Sequence, residues 1–307
     1  MFTDRLIENI IQTQNHSVVG LDPKIDFLPE HLGKNLDKND FQAVADAFLE
    51  FNKKLIDSTY DIIPAVKPQV AFYEQFGVPG FDCFVKTCEY AKSKGLLVVG
   101  DVKRGDIGTT AEAYSDFYLG GSASSCATDC ITVNPYLGTD SLEPFTKDCI
   151  DNGKGIFILV KTSNKSSIDL QDLVADGKKI YEHVAELVLK IGAKQIGKHG
   201  YSFAGAVVGA TFKEEAKMLR EKMKNVYFLV PGYGAQGGTS DDAAESFNND
   251  GLGAIVNSSR GIIAAWKSPQ YKDKFSESQY AEAARQATID MRDDINGALI
   301  RAGKIAW

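Results

Sequence analysis

Eight short apolar runs, rich in Val and Ile, punctuate the chain at residues 17–22, 62–67, 96–101, 130–134, 156–161, 205–209, 226–231 and 253–257. Runs that are apolar along their whole length suit strands of a parallel sheet covered on both faces. Between them, apolar residues recur every three or four positions. Phe41, Val44, Phe48, Phe51 and Leu55 form one such stripe; Phe81, Phe84, Val85, Cys88 and Ala91 form another; Ala287, Met291, Ile295 and Ala298 form the last. That period is the buried face of a helix. Pro64 has no amide hydrogen for a sheet ladder, so the second strand should begin after it. Strand and helix alternate with no low-complexity tract and no Pro/Ser-rich linker. The pattern predicts an α/β fold, a (β/α)8 TIM barrel over residues 1–307, as a single domain with inserted helices and loops, rather than a doubly wound sheet. Residues 25–39 and 164–198 are the longer connections.

The same alternation orders the polar residues. Asp22, Lys67, Asp101, Asn134, Lys161 with Thr162 and Ser163, Pro231 with Gly232, and residues 257–260 all fall at or just past the carboxyl end of a run. In a barrel those ends form one rim, where active sites are built. The third run is the most informative, because it ends in Asp101-Val-Lys103-Arg-Gly-Asp106. Unpaired charges are costly to remove from water, so a buried strand that delivers three of them delivers them into a site. Asp101 and Lys103 are two apart, which puts them on one face of the strand, within reach of each other. Asp106 lies beyond Gly105 and is free to point elsewhere. Lys67, at the end of the neighbouring strand, can extend the series to an alternating Lys67, Asp101, Lys103, Asp106 array in which each charge lowers the cost of holding the next. Alone, Asp-x-Lys is an ordinary pattern of exposed strands, and a terminal lysine ordinarily snorkels to solvent. The nearly complete polar rim gives these residues their weight.

The seventh run leads into Pro231-Gly232-Tyr-Gly234-Ala-Gln236-Gly237-Gly238. Its Gly-x-Gly-x-x-Gly spacing resembles a dinucleotide fingerprint, yet that fingerprint belongs to the first strand-helix unit of a doubly wound sheet. In a barrel, the loops after strands seven and eight form a phosphate site from backbone amides. Arg260, after the eighth run, supplies a guanidinium for the phosphate oxygens. Together they point to a phosphate monoester. Asp22, Asn134 and Ser163 are short polar side chains suited to a ribose or amide edge; each, taken alone, is more at home as a turn or cap residue. The four histidines, His16, His31, His183 and His199, fall outside the rim set and receive no catalytic role.

Charge and cysteine content narrow the class. The formal net charge is -7, which argues against nucleic acid as a partner while permitting a local basic pocket. Residues 1–8 carry both signs of charge and lack the apolar core of a signal peptide, and no run has the length of a membrane span. The expectation is a soluble, cytoplasmic protein. Five cysteines without a Cys-x-x-Cys pair read as core thiols. Cys126 and Cys130 are spaced to meet on a helical turn, but no histidine lies near them in sequence to complete a metal site.

Asp101-x-Lys103-x-x-Asp106-Ile-Gly-x-Thr110 after an apolar run resembles the signature of the orotidine 5'-phosphate decarboxylases, which make UMP in pyrimidine biosynthesis. Asp22 in Gly-Leu-Asp-Pro, Lys67 in Val-Lys-Pro, Ser163 in Lys-Thr-Ser-Asn, Gln236 in Gly-Ala-Gln-Gly-Gly, and Arg260 follow in that family's order. Length and the Lys-Thr-Ser-Asn segment make the chain similar to the family's longer subgroup. The resemblance implies a homodimer of barrels that needs neither metal nor organic cofactor. It further implies that Asp106, with Thr110 close behind, enters the partner's active site. Lys67, Asp101, Lys103 and Asp106 would be catalytic; Asp22, Thr110, Asn134, Ser163, Pro231, Gln236 and Arg260 would bind orotidine 5'-monophosphate and the product UMP. Lys103 would stabilise the carbanion left at C6 and protonate it. Two other readings stand beside this one. A metal-dependent sugar-phosphate barrel carries a similar motif but needs an acidic residue where this chain has Lys67. A catalytically silent nucleotide-binding barrel would keep Gln236 and Arg260 without needing the charged array.

Overall fold

The structure, a computed structural model, describes residues 1–121, 125–234 and 237–305. Eight strands form a closed parallel barrel: β1 (Ser17–Leu21), β2 (Ala65–Pro68), β3 (Leu97–Arg104), β4 (Cys130–Val133), β5 (Gly155–Lys161), β6 (Ala204–Val208), β7 (Phe228–Val230) and β8 (Ala254–Ser258). Each pairs with its neighbours in chain order, and β8 closes on β1 through Ser17 opposite Val256. All eight predicted runs are strands, and β2 starts directly after Pro64. Helices cover the outside, so the strands are buried on both faces as their sequences require.

Two cores result. The inner one is built from alternate strand residues, among them Val18, Leu97, Val99, Phe157 and Leu229. The helix Phe2–Thr13 caps its amino end with Phe2, Leu6, Ile7 and Ile10, which recur at helical spacing along one buried face. Gly155 permits this closure: a Cβ there would lie 2.5 Å from the ring of Phe2. The outer core lies between barrel and helices. Helix Phe41–Thr59, capped by the Asp40 carboxylate on the Ala43 amide, buries Val44, Phe48, Phe51 and Leu55 there. Phe41 departs from its predicted stripe. It stands in the first turn, 43% exposed, with its ring edge-on to Phe76. All five cysteines are buried thiols outside any disulfide, and Cys130 lies on β4, so it shares no helical turn with Cys126.

The two long connections differ in form. Residues 25–39 hold the short helical turns Ile25–Phe27 and Glu30–Gly33. The segment after β5 holds the turn Lys165–Asp169 and a two-stranded hairpin, Val174–Ala175 with Lys178–Lys179, before helix Ile180–Gly192. Among the described residues, no helix is long and apolar enough to cross a membrane, and no cluster of three His, Cys, Asp or Glu side chains is placed to hold a metal ion.

Candidate active site

A cavity of about 650 Å³ opens at the carboxyl end of the barrel, and Lys67, Asp101 and Lys103 line it. Their placement follows from strand alternation. Leu97 and Val99 face the barrel interior, so Asp101 does as well; Ala65 faces inward, and so does Lys67. Asp101 accepts from Lys67 Nζ at 2.8 Å on one carboxylate oxygen and from Lys103 Nζ at 2.6 Å on the other. Lys67 and Asp101 are almost fully buried, whereas the Lys103 side chain is 48% exposed toward the cavity. Burial alone would raise the Asp101 pKa, but the two ammonium groups outweigh it and hold the carboxyl well below the usual range. Burial likewise opposes the charge on Lys67; Asp101 and Asp22 outweigh that too, and its pKa is raised. Lys67 and Asp101 are therefore ionised together at neutral pH, and Lys103 Nζ, bonded to the same carboxylate, is presented to the cavity.

Lys103 owes its position to an irregularity. The pairing of β3 with β4 shifts between Gly100 and Arg104, and within that bulge Lys103 takes a left-handed conformation with φ 44°. Such a backbone is costly for a residue with a Cβ.

Asp22, past the end of β1, also lines the cavity. Burial raises its pKa, against the opposing influence of Lys67 and a hydrogen bond from Ser259, and its Oδ1 makes no hydrogen bond. A buried acceptor of this kind is suited to a ligand hydroxyl. Ser163, Pro231 and Arg260, which follow β5, β7 and β8, complete the wall. Lys24 and Thr132 line it as well. Neither was singled out from the sequence, although alternation from Cys130 places Thr132 inward. The Lys24 ammonium lies 5.6 Å from the centroid of Phe27 and 5.4 Å from that of Phe72.

Other expectations are corrected. β4 ends at Val133, and Asn134 turns away from the cavity; it is exposed, and its Oδ1 accepts from the amide of Tyr136 in the following turn. Lys161 is absent from the rim. A register shift between Leu159 and Lys161 sends its side chain outward, where it is fully buried against Phe212 and paired with Asp172 at 2.6 Å. Asp172 belongs to the inserted segment, and its neighbour Gln171 accepts from the Thr162 amide and donates to the Thr162 hydroxyl. The insertion thus braces the end of β5 that carries Ser163.

The glycine loop also differs from expectation. Gly234, Gly237 and Gly238 direct their amides to carbonyls of the loop itself, and Gln236 lies outside the described residues. Tyr233 and Ser240 tie the loop to Asp294 of the last helix at 2.7 and 2.9 Å. Of the expected phosphate contacts, Arg260 is the one seen on the cavity wall.

Asp106 and Thr110 do not line the cavity. Asp106 follows β3 and bonds the amide of Ile107; Thr110 is exposed in helix Gly108–Leu119. Within one chain, the charged series therefore runs Lys67, Asp101, Lys103 and stops.

Known proteins resemble this chain along nearly its whole length. The sequence model described as "Orotidine 5'-phosphate decarboxylase / HUMPS family" matches residues 18–272. A protein of Rhodopirellula baltica named orotidine 5'-phosphate decarboxylase is 43% identical over 299 residues, covering 96% of this chain and 99% of its own. One of the same name from Clostridium perfringens is 42% identical over 302 residues, covering 98% and 100%. The solved structure of Leishmania donovani OMP decarboxylase superposes with a TM-score of 0.74 at 30% identity, covering 97% of this chain and 99% of that one. The barrel, the charged floor of its cavity and these matches along nearly the whole chain agree: the protein belongs to the orotidine 5'-phosphate decarboxylase family.

Proposed function

We propose that the protein decarboxylates orotidine 5'-monophosphate to UMP, with Lys103 as the proton donor to C6. The observation that carries this reading is the continuous Lys67, Asp101, Lys103 contact at the floor of the cavity. The cavity's volume is within the range of about 300–1,000 Å³ usual for small-molecule sites. Breaking the bond from C6 to the carboxylate leaves both electrons on C6 as carbon dioxide departs. No adjacent carbonyl can delocalise that pair as an enolate, so fixed charge must stabilise it. The Lys103 ammonium, held by Asp101, would face the developing carbanion, then transfer a proton to C6 and be reprotonated from solvent. Asp101 would lie beside the leaving carboxylate, and Lys67 would hold Asp101 in place. Asp22 would accept from a ribose hydroxyl and Ser163 would meet the pyrimidine edge. Arg260, with Gln236 of the preceding loop, would bind the 5'-phosphate, where binding energy remote from the bond broken can raise the rate at the base.

The reading extends to a homodimer in which Asp106 and Thr110 serve the partner's cavity. Asp106 stands outside its own cavity, and Ile107, Tyr136 and Leu137 near it are 55%, 77% and 49% exposed, an apolar surface suited to a second copy. Mixing Asp106→Ala with Lys103→Ala protein tests this directly. Random reassociation would leave about a quarter of the sites with both side chains intact, one per hybrid dimer. Activity that fails to rise above that of either variant would overturn the shared site.

The primary test is turnover of orotidine 5'-monophosphate in excess chelator, followed by loss of the orotate chromophore. Turnover under chelation supports a cofactor-free decarboxylase. Its absence, or its dependence on an added divalent ion, would refute that reading.

A further inference from the structure

We infer that Thr132 is a positioning residue for the decarboxylation proposed above, fixing through one hydroxyl both the backbone of Lys103 and the carboxylate of Asp101. Its Oγ1 lies 3.1 Å from the amide nitrogen of Val102, 2.9 Å from that of Lys103 and 2.9 Å from Asp101 Oδ1. A hydroxyl has one proton to give and two lone pairs to accept with. The two amides occupy both lone pairs, so the proton is directed to Asp101. Thr132 is 1% exposed, so these bonds are shielded from bulk solvent.

The arrangement solves two problems at one point. Where β3 bulges, the amides of Val102 and Lys103 turn to the Thr132 hydroxyl in place of a strand carbonyl. Unmet, these donors would oppose the left-handed turn that presents the lysine to the cavity. The carboxylate gains a fixed rotation as well. Asp101 Oδ1 receives Thr132 and Lys103, and Oδ2 receives Lys67, so the two ammonium groups stay on different oxygens. Thr132 touches neither the base nor the phosphate in this scheme; it acts through Asp101 and Lys103.

Replacing Thr132 with Val keeps the shape and removes the hydroxyl, whereas Thr132→Ser keeps the hydroxyl. The expected result for Thr132→Val is a kcat lower by about 10- to 100-fold, the range for losing a buried hydrogen bond to a charged group. UMP affinity, measured by titration calorimetry, should change less than about twofold, because the phosphate and ribose contacts are elsewhere. Thr132→Ser should recover most of kcat. A Val variant with undiminished kcat, a parallel loss of UMP binding, or a Ser variant that recovers nothing would overturn the inference. Wild-type turnover is measured in the same assay; its absence would remove the decarboxylase reading rather than this one. Crystals of Thr132→Val decide the geometry independently of turnover. There the Lys103 ammonium should leave hydrogen-bond distance of Asp101 while Lys67 keeps it, and an unchanged Lys103–Asp101 pair would refute positioning by Thr132. If Thr132→Val does not fold, the Ser variant carries the test: recovery of kcat supports the hydroxyl's role, and loss of kcat refutes it.

Discussion

His16, just before β1, gives the fold a pH dependence that can be worked out in advance. Its ring is 1% exposed and stands edge-on to Phe247, with centroids 4.8 Å apart. Burial pushes the imidazole pKa down to about 3 from an ordinary value of 6.5, against a smaller opposing effect of its hydrogen bond with the Ala254 backbone. A base whose pKa is depressed by folding binds its proton in the unfolded chain first. Stability is therefore complete above 6.5 and is lost as pH falls from there toward 3. At about 1.4 kcal/mol per pH unit, the loss between pH 7 and pH 5 comes to about 2 kcal/mol. Asp101, whose pKa is also depressed by folding, loses its stabilising contribution only at lower pH, and Asp22, whose pKa folding raises, is common to wild type and variant, so comparison with His16→Asn isolates the imidazole. The assay is urea unfolding by circular dichroism at both pH values and one protein concentration, for wild type and for His16→Asn. Whatever His16→Asn costs at pH 7, its further loss at pH 5 should be smaller than that of the wild type by about 2 kcal/mol. Equal losses, or a folded-state imidazole that titrates near its ordinary value by NMR, would refute the reasoning.

Three predictions concern the cavity. Lys103→Ala should nearly abolish turnover with the circular dichroism spectrum unchanged, since the side chain is half-exposed and carries no core packing; substantial residual decarboxylation would remove it as proton donor. Arg260→Ala should weaken UMP binding by roughly 10- to 100-fold, as expected for a lost charge-assisted phosphate contact, and calorimetry would read it. Gly20→Ala should disturb the same wall from beneath. A Cβ on Gly20 would lie 1.9 Å from Ser259 Oγ, so the serine bonded to Asp22 must move; lower substrate affinity in steady-state kinetics is expected, and unchanged KM would show that Ser259 has no part in binding.

The eight strands were legible because burial on both faces leaves long apolar runs, and the carboxyl ends could be read directly from them. Asp101 and Lys103 were legible as a pair because they are two residues apart on a strand whose inward face is set by Leu97 and Val99. Alternation fails where the ladder changes register. It would turn Lys161 inward, but the shift after Leu159 reverses the side chain, and hydrogen bonding between strands determines such shifts. Asn134 fails differently, since β4 stops one residue short of it and the chain turns. Thr132 escaped notice because a threonine inside a strand has the ordinary composition of a strand. Its three partners all lie on the neighbouring strand β3, about thirty residues earlier in the chain, and only the fold brings them to it. The glycine loop was legible as a turn, with Gly232, Gly234 and Gly237 all at positive φ, but not in the direction of its amides.

Lys161 constrains how chains of this kind can change length. Its ammonium is fully buried outside the barrel, with Asp172 and the Ser167 hydroxyl as its polar contacts, and both belong to the segment after β5. Deleting that segment would strand a charge in the outer core, a penalty of several kcal/mol, while replacing the lysine by an apolar residue would break the pair with Asp172 and leave the Gln171–Thr162 hydrogen bonds to hold the segment at that point. The two features are therefore interdependent. A shorter chain that lacks the segment should also lack the lysine, and a lineage could not pass from one form to the other by either step alone without passing through a less stable protein.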